Sequence, residues 1–176
     1  MKDPLVATQQ WLEKAVIGLN LCPFAKAEHV HGRIRYCVSA ARNADVLYED
    51  LERELLHLQA ADPAQLETTL LIAPHALQNF LHYNDFLDQV DELLEDLELD
   101  GILQVASFHP QYQFAGTEAD DITNFSNRSP YPLLHILREA SVEKAVAAFP
   151  DAEGIFERNM ETLRKLGHPG WAKLME

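Results

Sequence analysis

Apolar residues recur along the chain in two rhythms, and the switches between them set the expected order of elements. Asp3 before Pro4 opens a helix, an acid at the cap and a proline whose missing N–H is harmless at the first helical position. Leu5, Trp11, Leu12, Ala15, Val16 and Leu19 then fall near one face, and Gly18, Asn20 and Pro23 end the run. Residues 24–32 read as a short helical turn and a polar loop. From Arg33 to Ser39 the rhythm becomes strict alternation, with Ile34, Tyr36 and Val38 on one side of a half-buried strand. Asn43 caps the next helix, whose stripe is Leu47, Leu51, Leu55 and Leu58, and residues 60–63 stop it at a proline. Residues 68–73 form a continuous apolar run, as a strand covered on both faces does. Pro74 closes it. A short helix is predicted over 75–83, and a second, capped by Asn84 or Asp85, turns Phe86, Val90, Leu93, Leu94 and Leu97 inward. Residues 101–108 are a third strand. Residues 133–139, 142–149 and 155–166 are each predicted helical, and Gly167-His-Pro-Gly170 breaks the last ahead of a tail around Trp171.

Two successive strand–helix–strand units with connections of this length favour parallel strands. The expected fold is a small α/β domain over residues 1–176. Its mostly parallel sheet has at least three strands, with flanking helices and a helical C-terminal region. Ligands in such sheets bind beyond the carboxyl ends of the strands. That places a candidate site where the third strand ends, with Ser39 and the Ala73-Pro74-His75 corner on the same rim.

A long segment begins there. Residues 109–131 have neither helical nor alternating period, and loops of more than about 12–15 residues are uncommon in compact domains unless functional or disordered. Phe108, Tyr112, Phe114, Ile122, Phe125 and Tyr131 supply apolar anchors that disordered segments lack, so the loop is expected to be ordered.

Composition narrows the setting. A length of 176 residues and 47% hydrophobic content suit one domain with a real core. No apolar run approaches the roughly 18 residues of a membrane span, and the first residues lack the layout of a signal peptide. Cys22 and Cys37 are too few for a disulfide framework, so a cytoplasmic protein with reduced thiols is expected. The net charge is −14, and between Glu54 and Asn127 there are 14 acids and no Lys or Arg. Eight of those acids lie between Asp85 and Asp100. Such a surface argues against duplex nucleic acid, despite a small basic patch at Lys26, His29, His31, Arg33 and Arg35. It is either a solvated helix face or a docking face for a basic protein partner.

Candidate chemistry gathers in the loop. His109, Asp120 and Asp121, with His135 and Glu139 four apart on a predicted helix, are residue types that hold a divalent metal. No diagnostic ligand spacing accompanies them. Arg128, beside Ser126, Asn127 and Ser129 ahead of a predicted helix, could orient a small anionic ligand. The reading favoured is an acid–base or metal-assisted, hydrolase-like enzyme, with His109 as base or ligand, Glu118 as acid or base, and Arg128 as anion clamp. The alternatives are a non-catalytic adaptor using its acidic helix, and a thiol enzyme using Cys22, whose reactivity depends on which helix end it meets.

Gly18-Leu-Asn-Leu-Cys-Pro-Phe-Ala25, Tyr83-Asn-Asp-Phe-Leu-Asp88, Ser107-Phe-His-Pro110, Tyr112-Gln-Phe-Ala-Gly116 and Asn127-Arg-Ser-Pro-Tyr-Pro132 together resemble a bacterial family of unknown function, DUF1415. The resemblance implies one intact domain across nearly the whole chain and carries no activity, cofactor or catalytic residue with it.

Overall fold

The structure, a computed structural model, describes residues 2–176. Helix α1 (Pro4–Trp11) starts as expected, with Asp3 accepting from the Leu5 and Val6 amides. It does not stop at Trp11 but continues as a wider π turn over Leu12–Ile17, in which the Gly18 amide donates to the Glu13 carbonyl at 3.0 Å. A side chain at Gly18 would place its first carbon 2.1 Å from the Lys14 carbonyl oxygen, so this turn requires glycine there. Helix α2 (Ala25–Val30) leads to strand β1 (Ile34–Val38). Asn43 caps α3 (Ala44–Ala60) through the Val46 amide, and the predicted leucine stripe is its buried side.

Strand β2 (Thr68–Ile72) is buried throughout, as its unbroken apolar run required. Helix α4 (Phe80–Asp96) is one helix rather than two: Asn79, not Asn84 or Asp85, is the cap, accepting from Leu81 and His82. Tyr83, Phe86, Val90, Leu93 and Leu94 keep a single buried stripe running through the expected break. The eight acids of residues 85–100 all face solvent. Strand β3 (Leu103–Phe108) follows.

Residues 133–139, predicted helical, form instead a fourth strand, β4 (Leu133–Arg138), and Glu139 begins helix α5 (Glu139–Ala148). The run Leu133-Leu-His-Ile-Leu137 has no alternation because a central strand is covered on both faces, where periodicity cannot separate strand from helix. Its length of six residues suits a strand.

β4 also changes the sheet. The order is β1-β2-β4-β3, with β1 parallel to β2 and β4 antiparallel to both of its neighbours. The mostly parallel sheet expected from the crossovers is therefore a mixed one with two antiparallel pairings and one parallel. β1, β2 and β3 do share a direction, but the chain returns between β2 and β3. Helix α6 (Ile155–Met175) breaks at Gly167, as predicted, and then resumes, so the stretch around Trp171 is helical rather than a tail.

Two cores result. On one sheet face, Leu71, Leu134, Ile136 and Leu103 meet the leucines of α3 and the aromatic stripe of α4. Arg35 of β1 ties α3 to that face through a bidentate pair with buried Glu54, at 2.7 and 3.2 Å. On the other face, Leu70, Ile72 and Leu133 meet Trp11, Leu12, Ala15 and Val16, with the end of α6 behind them. Among the described residues no helix is long and apolar enough to cross a membrane.

Candidate functional site

The polar side chains of the long loop bond largely to its own main chain. Buried Asn124 is the hub: its Oδ1 accepts from the Phe114 amide and the Thr117 hydroxyl, and its Nδ2 donates to the Glu118 carbonyl. Asp121 caps a 3₁₀ turn over Ile122–Asn127 through the amide and hydroxyl of Thr123, and those two bonds hold its carboxyl below the usual range. Among the described residues Arg128 makes no pair with a carboxylate. Its Nε donates to the Tyr112 carbonyl at 3.0 Å and its Nη2 to the Ala119 carbonyl at 2.5 Å, while its guanidinium lies over the Phe125 ring. Phe125 in turn packs edge-on against His168 and Trp171 of α6. The C-terminal helix thus seals the loop from outside.

His109 is fully buried between the rings of Phe80 and Tyr83. Its Nδ1 accepts from the Gln111 amide at 3.0 Å, so its Nε2 carries the proton and donates to the Leu77 carbonyl at 2.9 Å. Burial pulls its pKa down, outweighing the Leu77 and Gln78 carbonyls that favour the charged form. Both ring nitrogens are occupied. The carbonyl it holds belongs to a residue in left-handed conformation, Leu77 at φ +54°, so His109 pins a strained corner of the chain.

The structure does not bring the proposed metal ligands together. His135 lies within the sheet and Glu139 opens α5, so the shared helical face does not exist. Glu118, Asp120 and Asp121 stay on the loop. Among the described residues, no group of three or more His, Cys, Asp or Glu side chains is arranged to hold a metal ion. The rim at the carboxyl ends of β1 and β2 is a shallow hollow between the starts of α3 and α4, where Asn43 and Asn79 are already engaged as caps.

A more enclosed space lies on the opposite sheet face. A cavity of about 370 Å³ separates the sheet from its helical cover. Its floor is Ile34, Thr68, Leu70, Gln104, Ala106, Phe108, His135 and Leu137, the side chains that strand alternation sends to this face. Its roof is Trp11, Leu12 and Val16, the last two on the π turn, with Cys22, Phe24 and Ala25 ahead of and inside α2. Ser141, Val142 and Ala145 close a third side from α5, a helix with no fully buried residue of its own. The wall is almost wholly apolar. Cys22 stands at this wall with its thiol pushed up, because burial outweighs the Phe24 and Ala25 amides that would stabilise a thiolate.

One polar side chain on the floor stands out. Thr68 donates its hydroxyl proton to the Ile136 carbonyl at 2.5 Å, and its oxygen lies 2.8 Å from Nε2 of His135. A hydroxyl has one proton, so Nε2–H of His135 is the donor in that second bond. Nδ1 is left with a lone pair and makes no hydrogen bond among the described residues. Burial keeps the ring neutral, with its pKa pushed down to about 4. Sequence reasoning selected His135 but for a metal on a helix. The signal it carried was different: a lone polar residue inside the apolar run from Leu133 to Leu137. Trp11, Ala106 and Thr68 gave no sign, because nothing local distinguishes a cavity wall from a core.

The match of a family model described as a protein of unknown function (DUF1415) to residues 4–173 shows that the chain belongs to that family. No curated protein matches it, and no solved structure does.

Proposed function

We propose that the protein binds a small, predominantly apolar molecule in the cavity between the sheet and its helical cover. The observation that carries this reading is the cavity itself. Protein interiors are close-packed, with few voids larger than a water molecule, whereas ligand pockets begin at about 300 Å³ and combine apolar walls with a few placed polar groups. A void of about 370 Å³ with one neutral histidine on its floor fits the second description. A π turn in the roof supports it, since such turns are rare and frequent at functional sites.

An acid–base or metal-assisted reaction at the 109–131 loop draws no such support. It would need His109 or Arg128 free to meet a substrate, and each is bonded to main-chain groups of the loop or its neighbour. A nucleophilic Cys22 would need a thiolate that its burial opposes.

The test fills the cavity. Ala106 sits opposite His135 in the β3–β4 register, and Ala106→Leu puts apolar volume into the void beside it. The free variant should melt higher than wild type, because a filled cavity recovers lost contacts. Wild type should bind 2-methoxynaphthalene, followed by the emission of the probe and by the thermal midpoint, and the variant should not. Binding that survives Ala106→Leu, or no binding by wild type, refutes the reading.

A further inference from the structure

We infer that the cavity selects a neutral ligand bearing a hydroxyl, an alcohol or a phenol, by accepting its proton at Nδ1 of His135. The inference rests on the cavity reading above and names the chemistry of its polar end.

The geometry fixes the polarity of that end. The Thr68 hydroxyl is committed to the Ile136 carbonyl within the β2–β4 pair, so Thr68 can only accept from His135. This locks the imidazole as the Nε2–H tautomer and leaves Nδ1 an acceptor with nothing to accept. The polar side-chain atoms sealed away without a partner among the described residues are Trp11 Nε1, Tyr36 OH, Thr69 Oγ1 and Arg138 Nε. Nδ1 of His135 is not one of them. His135 is only part-buried, and it borders the cavity. A lone pair facing an apolar space is satisfied by a ligand donor.

The same geometry sorts ligand classes. A hydroxyl offers a proton to Nδ1 without bringing charge into an apolar space. A carboxylate offers only lone pairs, which meet the lone pair of Nδ1, and its charge must also be desolvated. An ether or ketone of the same shape fills the cavity but leaves Nδ1 unpaired. Thr68 is a positioning residue here: its hydroxyl holds the ring and has no proton left to offer a ligand.

The experiment compares 2-naphthol, 2-methoxynaphthalene and 2-naphthoate by fluorescence titration of the full chain near neutral pH. Wild type should bind the naphthol about five- to tenfold more tightly than its methyl ether, the margin of one net neutral hydrogen bond, and should bind the naphthoate most weakly. His135→Phe, a ring without an acceptor, should bring naphthol and ether to parity while still binding both. Thr68→Val, which frees the tautomer without touching the cavity floor's shape, should shrink the preference in a protein that retains His135, and it decides the matter if His135→Phe fails to fold. Equal binding of naphthol and ether by wild type, or a preference that survives both changes, overturns the hydroxyl inference and leaves the cavity reading standing. Failure of all three probes to bind wild type overturns both.

Discussion

Acid should destabilise this protein through its buried imidazoles, and the size of the larger share follows from where His135 sits. In the unfolded chain its ring takes up a proton near the ordinary 6.5; in the folded protein burial delays that to about 4. Between those values the unfolded state binds more protons, so stability rises with pH. The contribution is complete above about pH 6.5 and is lost progressively as pH falls towards 4. The whole interval corresponds to about 3 kcal/mol, and about 2 kcal/mol of it is gone by pH 5. For a chain of this length that is a fall of roughly 4–8 °C in Tm.

The perturbation is His135→Phe, and the assay is urea unfolding at about pH 7.5 and about pH 5, with equal slopes required at both. Wild type should lose about 2 kcal/mol more than the variant between the two conditions. His109 is also held neutral by burial and pulls in the same sense, but it is present in both proteins and cancels. The other ionisable groups bordering the cavity, Cys22, Glu28, Glu67 and Arg138, are likewise common to both. Glu54 and Asp121, whose carboxyls are held low, lose their contribution only below this window. Equal losses in the two proteins would refute the burial of His135 as described.

Two further outcomes follow from the loop and the thiol. Asn124→Ala leaves the Phe114 amide and the Glu118 carbonyl without their partner inside the loop; it should destabilise the fold by about 2–3 kcal/mol and open residues 109–127 to limited proteolysis, whereas an unchanged melt would show that the hub is dispensable. Cys22 should react with iodoacetamide more slowly than a free model thiol at neutral pH, more slowly still with 2-methoxynaphthalene bound, and rapidly in urea; fast labelling of the folded protein would revive a thiol mechanism.

Much of the fold was readable because local rules agree with the tertiary result in particular places. Asp3 and Asn43 are caps in sequence and in structure, and the α3 leucines and the unbroken β2 run meant what they implied. The failures have equally local causes. Asn79 and Asn84 are both competent caps, and only the packing of Tyr83 and Phe86 against the sheet selects the first. β4 carries a pattern compatible with either element, and its insertion between β2 and β3 depends on pairings some sixty residues away in the chain. The polar residues of the long loop looked like a site because the sequence lists side chains and not the backbone groups that satisfy them, as Arg128 and the Tyr112 and Ala119 carbonyls show.

The position of His135 argues against a purely structural account of it. It is the one polar side chain between Leu133 and Leu137 on a strand with neighbours on both edges and cores on both faces. A phenylalanine or leucine there would bury without a hydrogen-bond requirement and without sensitivity to acid. Thr68 does not need the histidine either, since its own proton goes to the Ile136 carbonyl. Stability alone therefore favours an apolar residue at 135, and the histidine lies next to a cavity of about 370 Å³. His109 shows what a structural histidine looks like in the same protein: no accessible surface, both nitrogens bonded, a strained turn held in place. His135 has one nitrogen bonded and the other facing space. The difference between the two is the difference between a residue that completes the fold and one that the fold leaves incomplete, and an incomplete hydrogen bond at the floor of an apolar cavity is what a ligand hydroxyl would complete.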